Sequence, residues 1–185
     1  MKRNEIRIIG GKWRSRKIHF PDSLGLRPTP DRIRETLFNW LAPYISGARC
    51  LDLFTGSGAL ALEALSRDAF QVVAIDRSSV VITALKKTIE VLEADHIELI
   101  QANALAWIEK PGISFDIVFL DPPYDDHLLR PCFSLLEANN WVAPASFIYF
   151  ESRTRIDPEY LPKTWHLFRE KKAGHVYYYL AQKLF

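Results

Sequence analysis

The sequence lacks the segments that mark membrane and secreted proteins. None of its 185 residues belongs to a run of roughly 18 uncharged apolar residues, the length that a membrane-spanning helix needs. The first residues, Met1 to Glu5, contain no apolar stretch of the kind found in a signal peptide. We therefore expect a cytoplasmic protein that has no membrane partner.

Cysteine and histidine are also scarce. The two cysteines, Cys50 and Cys132, lie far apart and form no C-x-x-C pair, which favours buried reduced thiols over a disulfide. The five histidines are scattered without metal-ligand spacing, so we expect no metal site. No repeat or low-complexity linker is present, and 48% hydrophobic with 25% charged residues suit one compact domain with a small extension.

Short apolar runs alternate with helical patterns along most of the chain. The runs predict buried strands at 49–54, 71–75, 97–101, 115–120 and 146–151. The helical patterns lie at about 78–93, 104–109 and 127–138. Residues 165–171 and 176–184 flank Ala173-Gly174 and predict a closing hairpin, whose last strand runs antiparallel to the others. The alternation predicts an α/β fold with a mostly parallel sheet.

The first of these strands leads into a glycine-rich turn. Gly56, Gly58 and Ala61 fit the pattern G-x-G-x-x-G/A, in which glycines allow a tight turn and a close approach of the backbone to a nucleotide. The next strand ends at Asp76, 18 positions after Gly58, near the offset of about 20 residues expected for an acid that binds ribose hydroxyls. Asp76 could equally be the N-cap of the helix that starts around Ser78. The pattern predicts a nucleoside cofactor.

The charge of Asp52 discriminates between nucleoside cofactors. Asp52 lies four positions before Gly56, where the pyrophosphate of a dinucleotide would lie, and a carboxylate there repels phosphate. S-Adenosylmethionine carries a sulfonium and an ammonium group and no phosphate, so the same carboxylate attracts it, by about 4 kcal/mol per charge pair at about 4 Å and an effective dielectric of about 20. The alternative is that Asp52 only caps the turn that follows.

The strand at 115–120 is followed by Asp121-Pro122-Pro123-Tyr124, a segment rich in hydrogen-bond acceptors. Neither proline has an N–H group, and Pro123 holds Pro122 in an extended conformation that fixes the direction of its carbonyl. An exocyclic amine could donate to that carbonyl and to Asp121 while its ring stacks on Tyr124. The segment predicts methylation of a nucleobase amino group; the alternative is a turn that merely ends a strand.

Positive charge is concentrated at the amino terminus. Residues 1–34 contain ten Lys or Arg and three acidic residues, so this segment carries +7 and the rest of the chain −5. Strand-like runs at 6–9 and 16–20, joined through Gly10-Gly11, predict a hairpin with Trp13 at or near its tip. The hairpin should bind nucleic acid, unless its charges only protect a sheet edge. The residues predicted to contact RNA are Arg7, Lys12, Trp13, Arg14, Arg16, Lys17 and Arg27.

A helix is predicted to begin after the hairpin, with Thr29 as its N-cap and Pro30 in its first turn. Apolar residues recur along it at spacings of three and four and should pack on the sheet: Ile33, Leu37, Trp40, Leu41 and Tyr44. Arg27, Arg32 or Arg34 could meet the cofactor carboxylate at the entrance of a site. For Arg32 and Arg34 the alternative is a salt bridge with Asp31 or Glu35.

Taken together, these motifs resemble those of the RsmD-type methyltransferases, which methylate the N2 amino group of a guanine in bacterial small-subunit ribosomal RNA. The resemblance covers residues 7–14, 25–41, 52–58, 121–124 and 172–174. It implies a Rossmann-like class I methyltransferase fold with a seven-stranded sheet, S-adenosylmethionine as cofactor, and ribosomal RNA or the small ribosomal subunit as partner. Where the family usually has aspartate followed by alanine at the adenine pocket, this chain has Asn103-Ala104.

On this interpretation, residues 1–28 form an RNA-binding hairpin extension and residues 29–185 the catalytic domain of a monomer. Transfer to guanine N2 is direct, and hydrogen bonds to Asp121 and Pro122 favour a pyramidal nitrogen whose proton Asp121 takes. The predicted catalytic residues are Asp121, Pro122 and Tyr124. The predicted cofactor-binding residues are Asp52, Thr55, Gly56, Gly58, Asp76, Arg77, Asn103, Ala104 and Asp121. The alternatives are a DNA adenine or cytosine N-methyltransferase, a protein amide methyltransferase, a nonenzymatic RNA-binding module and an NAD-dependent reductase.

Overall fold

The structure, a computed structural model, describes residues 4–20, 28–123 and 126–185. The strands in these ranges are β1 Glu5–Arg7, β2 Lys17–His19, β3 Arg49–Asp52, β4 Gln71–Asp76, β5 Ile97–Gln101, β6 Phe115–Leu120, β7 Val142–Ser152, β8 Trp165–Ala173 and β9 Val176–Lys183. The α-helices are α1 Asp31–Leu41, α2 Ala59–Ser66, α3 Ser79–Leu92, α4 Ala104–Ile108 and α5 Leu129–Ala138. The predicted contacts of Arg27 and Tyr124 fall outside the described residues.

Seven strands form one sheet in the order β5-β4-β3-β6-β7-β9-β8. The five strands from β5 to β7 are parallel, whereas β9 runs antiparallel to both of its neighbours, β7 and β8. This confirms the predicted α/β fold with an antiparallel last strand. The strand order reverses between β3 and β6, so these two strands flank the switch point where ligands bind in open parallel sheets.

The sheet is apolar on both faces because helices cover both of them. Neighbouring residues of a strand point to opposite faces, and Cys50 and Leu51 accordingly belong to different core clusters. The first cluster includes residues of α1, α2 and α3, and the second includes residues of α4 and α5. Cys50 and Cys132 are both buried free thiols.

Helix α1 begins one residue later than predicted. Pro30 occupies the N-cap position with an extended backbone, and no side chain caps the helix. The prediction that Thr29 is the N-cap is therefore wrong, because its hydroxyl donates to Asp121 instead. Tyr44 lies beyond the end of α1, where its half-exposed ring packs 4.4 Å from the ring of Phe147.

The amino-terminal segment does form a hairpin, with Ile6 paired to Ile18 across β1 and β2. The loop between these strands packs against the carboxyl-terminal end of α2, where the Lys12 N–H donates to the Ser66 carbonyl at 2.7 Å. Gly11 has a φ of +75°, and a Cβ there would lie 1.6 Å from that carbonyl oxygen, so only glycine fits. The hairpin loop is thus fixed to α2.

Trp13 lies in this loop, as predicted, but its side chain is only 8% exposed and joins the core. The Trp13 backbone N–H donates to the Ser66 hydroxyl at 3.0 Å, and the Lys12 ammonium lies 4.3 Å from the centre of the Trp13 ring. Because the ring is buried, this arrangement does not present it to a base. The structure therefore corrects the prediction of Trp13 as an RNA-stacking residue and gives it a packing role.

Among the described residues, no helix is both long and apolar enough to cross a membrane. Within the same ranges, no group of His, Cys, Asp and Glu side chains is arranged to hold a metal ion.

Candidate active site

An open cleft of about 1200 Å³ lies at the carboxyl ends of the parallel strands. Its walls include Asp52 from β3, Asp76 from β4, Asn103 after β5, Asp121 after β6 and Glu151 from β7. The parallel arrangement explains this meeting of residues, because the carboxyl ends of parallel strands lie on one edge of the sheet. The predicted site residues that come from separate strands are thus brought together in one cleft.

Asp52 is the most deeply buried carboxyl group of the cleft, with a residue exposure of only 1%. The Thr55 hydroxyl and the N–H groups of Phe54 and Ala61 lie near enough to favour its ionised form, yet neither carboxylate oxygen makes a hydrogen bond within the described residues. Burial raises the pKa of Asp52 to about 7, and the charge of Asp121 adds to this effect. Asp52 therefore has donors close by but no hydrogen bond of good geometry in the described part of the chain, which leaves its oxygens able to accept from a ligand.

The glycine turn is held by Asp76. One oxygen of this carboxylate accepts from the Gly56 N–H at 3.1 Å, and the other accepts from the Ser78 N–H at 2.8 Å. Ser78, not Asp76, is the N-cap of α3, because its hydroxyl accepts from Val81. Each Asp76 oxygen keeps a second lone pair, so the carboxylate can still accept from ribose hydroxyls in the cleft.

The two glycines of the turn, Gly56 and Gly58, have different structural roles. Gly56 lines the cleft, whereas Gly58 has a φ of +77° and faces the core. A Cβ at Gly58 would lie 2.4 Å from a methyl carbon of Leu85, so this glycine allows α2 to start against α3. Gly58 therefore acts through packing rather than as a wall of the cleft.

The cleft is also lined by Asn103 and Ala104, predicted for the adenine pocket, and by Arg77, predicted to bind the cofactor. Asn103 and Ala104 lie at the start of α4, and the exposed Arg77 follows β4. The Asn103 side-chain oxygen accepts from the Ala106 N–H at 3.1 Å and so caps α4. Asparagine performs this capping as well as aspartate does, but it brings no negative charge.

Asp121 and Pro122 follow β6 and line the cleft on the other side of the switch point from Asp52. One Asp121 oxygen accepts a hydrogen bond from the Thr29 hydroxyl at 3.0 Å. Burial raises the pKa of Asp121 to about 6. The carboxylate is therefore held in place by one hydroxyl while its other oxygen can accept from a ligand.

Two further residues that line the cleft, Glu151 and Thr29, were not among the predicted site residues. Glu151 lines it at the end of β7, and the Tyr149 hydroxyl donates to the Glu151 Oε1 at 2.6 Å. The sequence contained a signal for Glu151, because this residue is the last of the strand-like run 146–151. Asp76 and Asp121 likewise stand directly after strand-like runs. For Thr29, whose partner is 92 positions away, the sequence offered no such signal.

Known proteins have sequences similar to this chain over nearly its whole length. The family described as "Conserved hypothetical protein 95" matches residues 6–182. The chain belongs to this family. It is 49% identical over 179 residues to "Ribosomal RNA small subunit methyltransferase D" of Escherichia coli (strain K12), with 97% of this chain and 90% of that protein covered. The Haemophilus influenzae protein of the same name is 44% identical over 184 residues, with 97% of this chain and 95% of that protein covered.

Solved structures agree with this membership. The structure of yhhF from Escherichia coli has a TM-score of 0.91 with 44% identity, and the match covers 98% of this chain and 99% of that one. The family resemblance and the methyltransferase fold predicted from the sequence are both confirmed.

In this member of the family, Arg34 does not reach the cofactor region. Its guanidinium is fully buried, 2.6 Å from Asp31 Oδ1 and 3.5 Å from Glu63 Oε2, and it donates to the Arg7 carbonyl at 2.9 Å. The alternative of a salt bridge with Asp31 is therefore the correct one for Arg34. Arg32 is exposed on α1.

Most of the residues predicted to bind RNA lie away from the cleft, but the Arg7 guanidinium is 3.9 Å from Asp31, the residue that follows the cleft residue Pro30. Helix α2 begins at the glycine turn, and the hairpin loop containing Lys12 and Arg14 packs at its other end, about 12 Å away for eight residues at 1.5 Å each. Arg16 donates to the Val91 carbonyl near the end of α3, and Lys17 pairs with Glu5 on the hairpin itself. These four side chains therefore do not line the cleft.

Proposed function

We propose that this protein transfers a methyl group from S-adenosylmethionine to the exocyclic N2 amino group of a guanine in small-subunit ribosomal RNA. The observation that carries the proposal is the pair of carboxyl groups, Asp52 and Asp121, on either side of the switch point of one cleft. Close relatives named as ribosomal RNA small subunit methyltransferases cover nearly the whole chain and support the choice of substrate. The predicted cytoplasmic location and monomeric state remain predictions.

The cleft fits S-adenosylmethionine. The two oxygens of Asp52 are buried without hydrogen-bond partners among the described residues, and a cationic ligand would supply what they lack. Asp76 offers acceptors to ribose, and Asn103 with Ala104 would border the adenine ring. When bound, the cofactor supplies a methyl group on a sulfonium sulfur, which departs as a neutral thioether.

The acceptor base would meet Asp121 and the Pro122 carbonyl. Guanine N2 is a poor nucleophile because its lone pair is delocalised into the ring, and two hydrogen bonds from its N–H groups would favour the pyramidal form that releases this pair. Asp121 can then take the proton, since its raised pKa makes it a better base than an exposed aspartate. The protein contributes mainly positioning, with hydrogen-bond acceptors set close to the attacking nitrogen.

The test follows labelled methyl from S-adenosylmethionine into naked 16S ribosomal RNA, assembled small subunits and duplex DNA in parallel, and then maps the modified base. We expect incorporation into one guanine of the ribosomal RNA or subunit and none into DNA. Label in DNA adenine or cytosine would replace the proposal with a DNA methyltransferase. Binding of RNA without binding of S-adenosylmethionine would indicate a nonenzymatic module.

Substitution of Asp121 tests the assignment of the acceptor site. Asp121→Ala should nearly abolish methyl transfer while leaving the Kd for S-adenosylmethionine within a few-fold of the wild type, because its carboxylate faces the acceptor. Asp116→Ala makes the same change at the other end of β6, where the side chain accepts from the Arg49 N–H, and it should keep full transfer activity. Full activity of Asp121→Ala would contradict the assignment.

RNA binding by the basic hairpin is tested through its salt dependence. Loss of three phosphate contacts in the variant Arg14→Ala/Arg16→Ala/Lys17→Ala should reduce the slope of log Kd against log salt by roughly 2, at about 0.7 per contact with single-stranded RNA. Lys86→Ala/Lys87→Ala removes two exposed cations from α3 and serves as the control. An unchanged slope in the hairpin variant would exclude the hairpin from the RNA interface.

A further inference from the structure

Two carboxyl groups stand side by side at the acceptor end of the cleft. Strands β6 and β7 pair in parallel with Leu120 opposite Phe150, so Asp121, which directly follows β6, and Glu151 on β7 are the residues that come next after this pair. Neighbouring strands lie about 4.8 Å apart, and both carboxyl groups line the cleft. The fold therefore places two groups of like charge next to each other.

Hydroxyl groups hold this pair from both sides. The Thr29 hydroxyl donates to Asp121 Oδ2 at 3.0 Å, and the Tyr149 hydroxyl donates to Glu151 Oε1 at 2.6 Å. Tyr149 is itself fully buried, so its hydroxyl position is fixed by the core. Within the described part of the chain, neither carboxyl group forms a salt bridge with Lys, Arg or His.

Two adjacent carboxylates without a cation do not ionise together at the usual pH, because each opposes the charge of the other. Burial raises the pKa of Glu151 to about 8, with the charge of Asp121 as the next cause, and burial raises the pKa of Asp121 to about 6. Between these values the pair holds a single proton. The larger rise in pKa at Glu151 favours the proton on Glu151 and the ionised form of Asp121.

We propose that Glu151 is the proton-holding partner of Asp121, a positioning residue that keeps Asp121 ionised and directed at the amino group to be methylated. The role of Glu151 in methyl transfer rests on the proposed function, whereas the proton shared with Asp121 does not. Glu151 acts through Asp121: its protonated carboxyl donates a hydrogen bond to the ionised neighbour, and Tyr149 orients it for this.

The proton balance of the transfer follows from this pair. The N2 lone pair forms the new bond to the methyl carbon, and the electrons of the broken carbon–sulfur bond stay on sulfur. The methylated nitrogen then loses one proton to the ionised Asp121 carboxylate. The pair now holds two protons, and release of one of them to solvent restores the starting state.

Other ionisable groups lie next to this pair or line the same cleft, and the test must separate them. They include Asp52 on β3, Tyr149 on β7, Tyr178 on β9, and Arg153 and His175 on the cleft wall. The variant Glu151→Gln keeps the shape of the side chain and its ability to donate, but it cannot ionise. Glu98→Gln makes the same change on an exposed position of β5 and is the matched control.

The first measurement is the infrared carbonyl band of protonated carboxyl groups in the full chain without cofactor, recorded against pH. The wild type and Glu98→Gln should show a band component at pH 7 that disappears as the pH rises through about 8, and Glu151→Gln should lack it. An unchanged titration in Glu151→Gln would overturn the proposal. This result does not depend on any enzymatic activity.

The second measurement is the single-turnover rate of methyl transfer to ribosomal RNA between pH 5 and 10. At saturating S-adenosylmethionine the wild-type rate should rise through about pH 6 and fall beyond about pH 8, where Glu151 loses its proton, whereas Glu151→Gln should keep the acid limb and lose the alkaline limb. An alkaline limb that persists in Glu151→Gln would overturn the proposal.

The variant Tyr149→Phe provides an independent check of the same pair. The hydrogen bond from the Tyr149 hydroxyl favours the ionised form of Glu151, so its removal should raise the pKa of Glu151 and move the alkaline limb to higher pH. A limb that stays in place or moves to lower pH would refute the assignment. Wild-type protein that titrates as expected but methylates no ribosomal RNA would refute the proposed function and leave the proton pair intact.

Discussion

The substitution Asp52→Asn should stabilise the fold and weaken cofactor binding. The pKa of Asp52 is raised from 3.8 to about 7, so the folded protein holds this proton more tightly than the unfolded chain between those pH values. Folding stability therefore falls as the pH rises from about 4 to about 7 and remains lower above it. At about 1.4 kcal/mol per pH unit, the loss reaches at most about 4 kcal/mol. Asparagine has no charge to bury and avoids this loss.

The same change removes an attraction for the cofactor. A cationic group about 4 Å from Asp52 would gain about 4 kcal/mol at an effective dielectric of about 20, which sets an upper limit near a thousandfold on the change in Kd. Since binding requires the ionised form of Asp52, the affinity of the wild type for S-adenosylmethionine should increase about tenfold for each unit that the pH is raised toward 7. Above pH 7 the affinity should be constant. Asp52→Asn should show weak binding that does not vary with pH in this range.

Two assays decide the matter. Urea unfolding should show Asp52→Asn to be more stable than the wild type by up to about 4 kcal/mol at pH 8 and by only about 1.5 kcal/mol at pH 5. Calorimetric titration with S-adenosylmethionine and with its uncharged-sulfur product should show which cation Asp52 meets: a sulfonium contact weakens only the methyl donor, and an ammonium contact weakens both. A variant that is less stable than the wild type at pH 8, or that binds the donor as tightly, would refute the reasoning.

Three other substitutions test the surroundings of the site. Asn103→Asp should tighten S-adenosylmethionine binding a few-fold in calorimetry, because aspartate still caps α4 and adds a charged acceptor near adenine; weaker binding would contradict this pocket assignment. Gly58→Ala should lower the free energy of unfolding by about 2 kcal/mol more than Gly47→Ala, since both glycines have a φ of +77° but only Gly58 has a neighbour, Leu85, in the way; equal losses would show that backbone strain alone matters. Glu63→Gln should cost about 3 to 5 kcal/mol of stability, because it leaves the buried Arg34 without its full counter-charge, whereas the exposed Glu90→Gln should change little.

The sheet could be predicted from the sequence because its strands carry apolar residues on both faces. The boundaries of β5 and β6 match the prediction to the residue, while β3 ends two residues early, at Asp52. Strand β7 begins at Val142 rather than 146, since its first part pairs with β6 across an irregularity between Phe115 and Ile117. Apolar pattern thus predicts the buried centre of a strand better than its ends.

The contacts that complete the site could not be predicted in the same way. Glu63 accepts from the Ile9 and Gly10 N–H groups, 54 and 53 positions away, and thereby fixes the hairpin to α2. Nothing local to Glu63 distinguishes it from a helix-surface glutamate, and the charge of Arg34 looks equally suited to solvent. Only the assembled fold shows that Arg34 and Glu63 are buried together and form an ion pair.

The distribution of charge on the protein suggests different places for the target base and for the phosphate backbone of the RNA. Asp52, Asp121 and Glu151 line one cleft, and within the described residues none of them pairs with a cation. A phosphate brought into this cleft would meet negative charge in a poorly solvated place, whereas an amine or a sulfonium would find acceptors. Arg77 and Arg153 also line the cleft, but the basic residues predicted to bind RNA are concentrated on the hairpin, whose loop packs at the other end of α2. An RNA substrate would therefore be held by phosphates outside the cleft and would have to turn its target base inward, away from its neighbours. The base most easily turned is one without stable pairing, so single-stranded or flexible RNA should be methylated faster than the same guanine in a duplex.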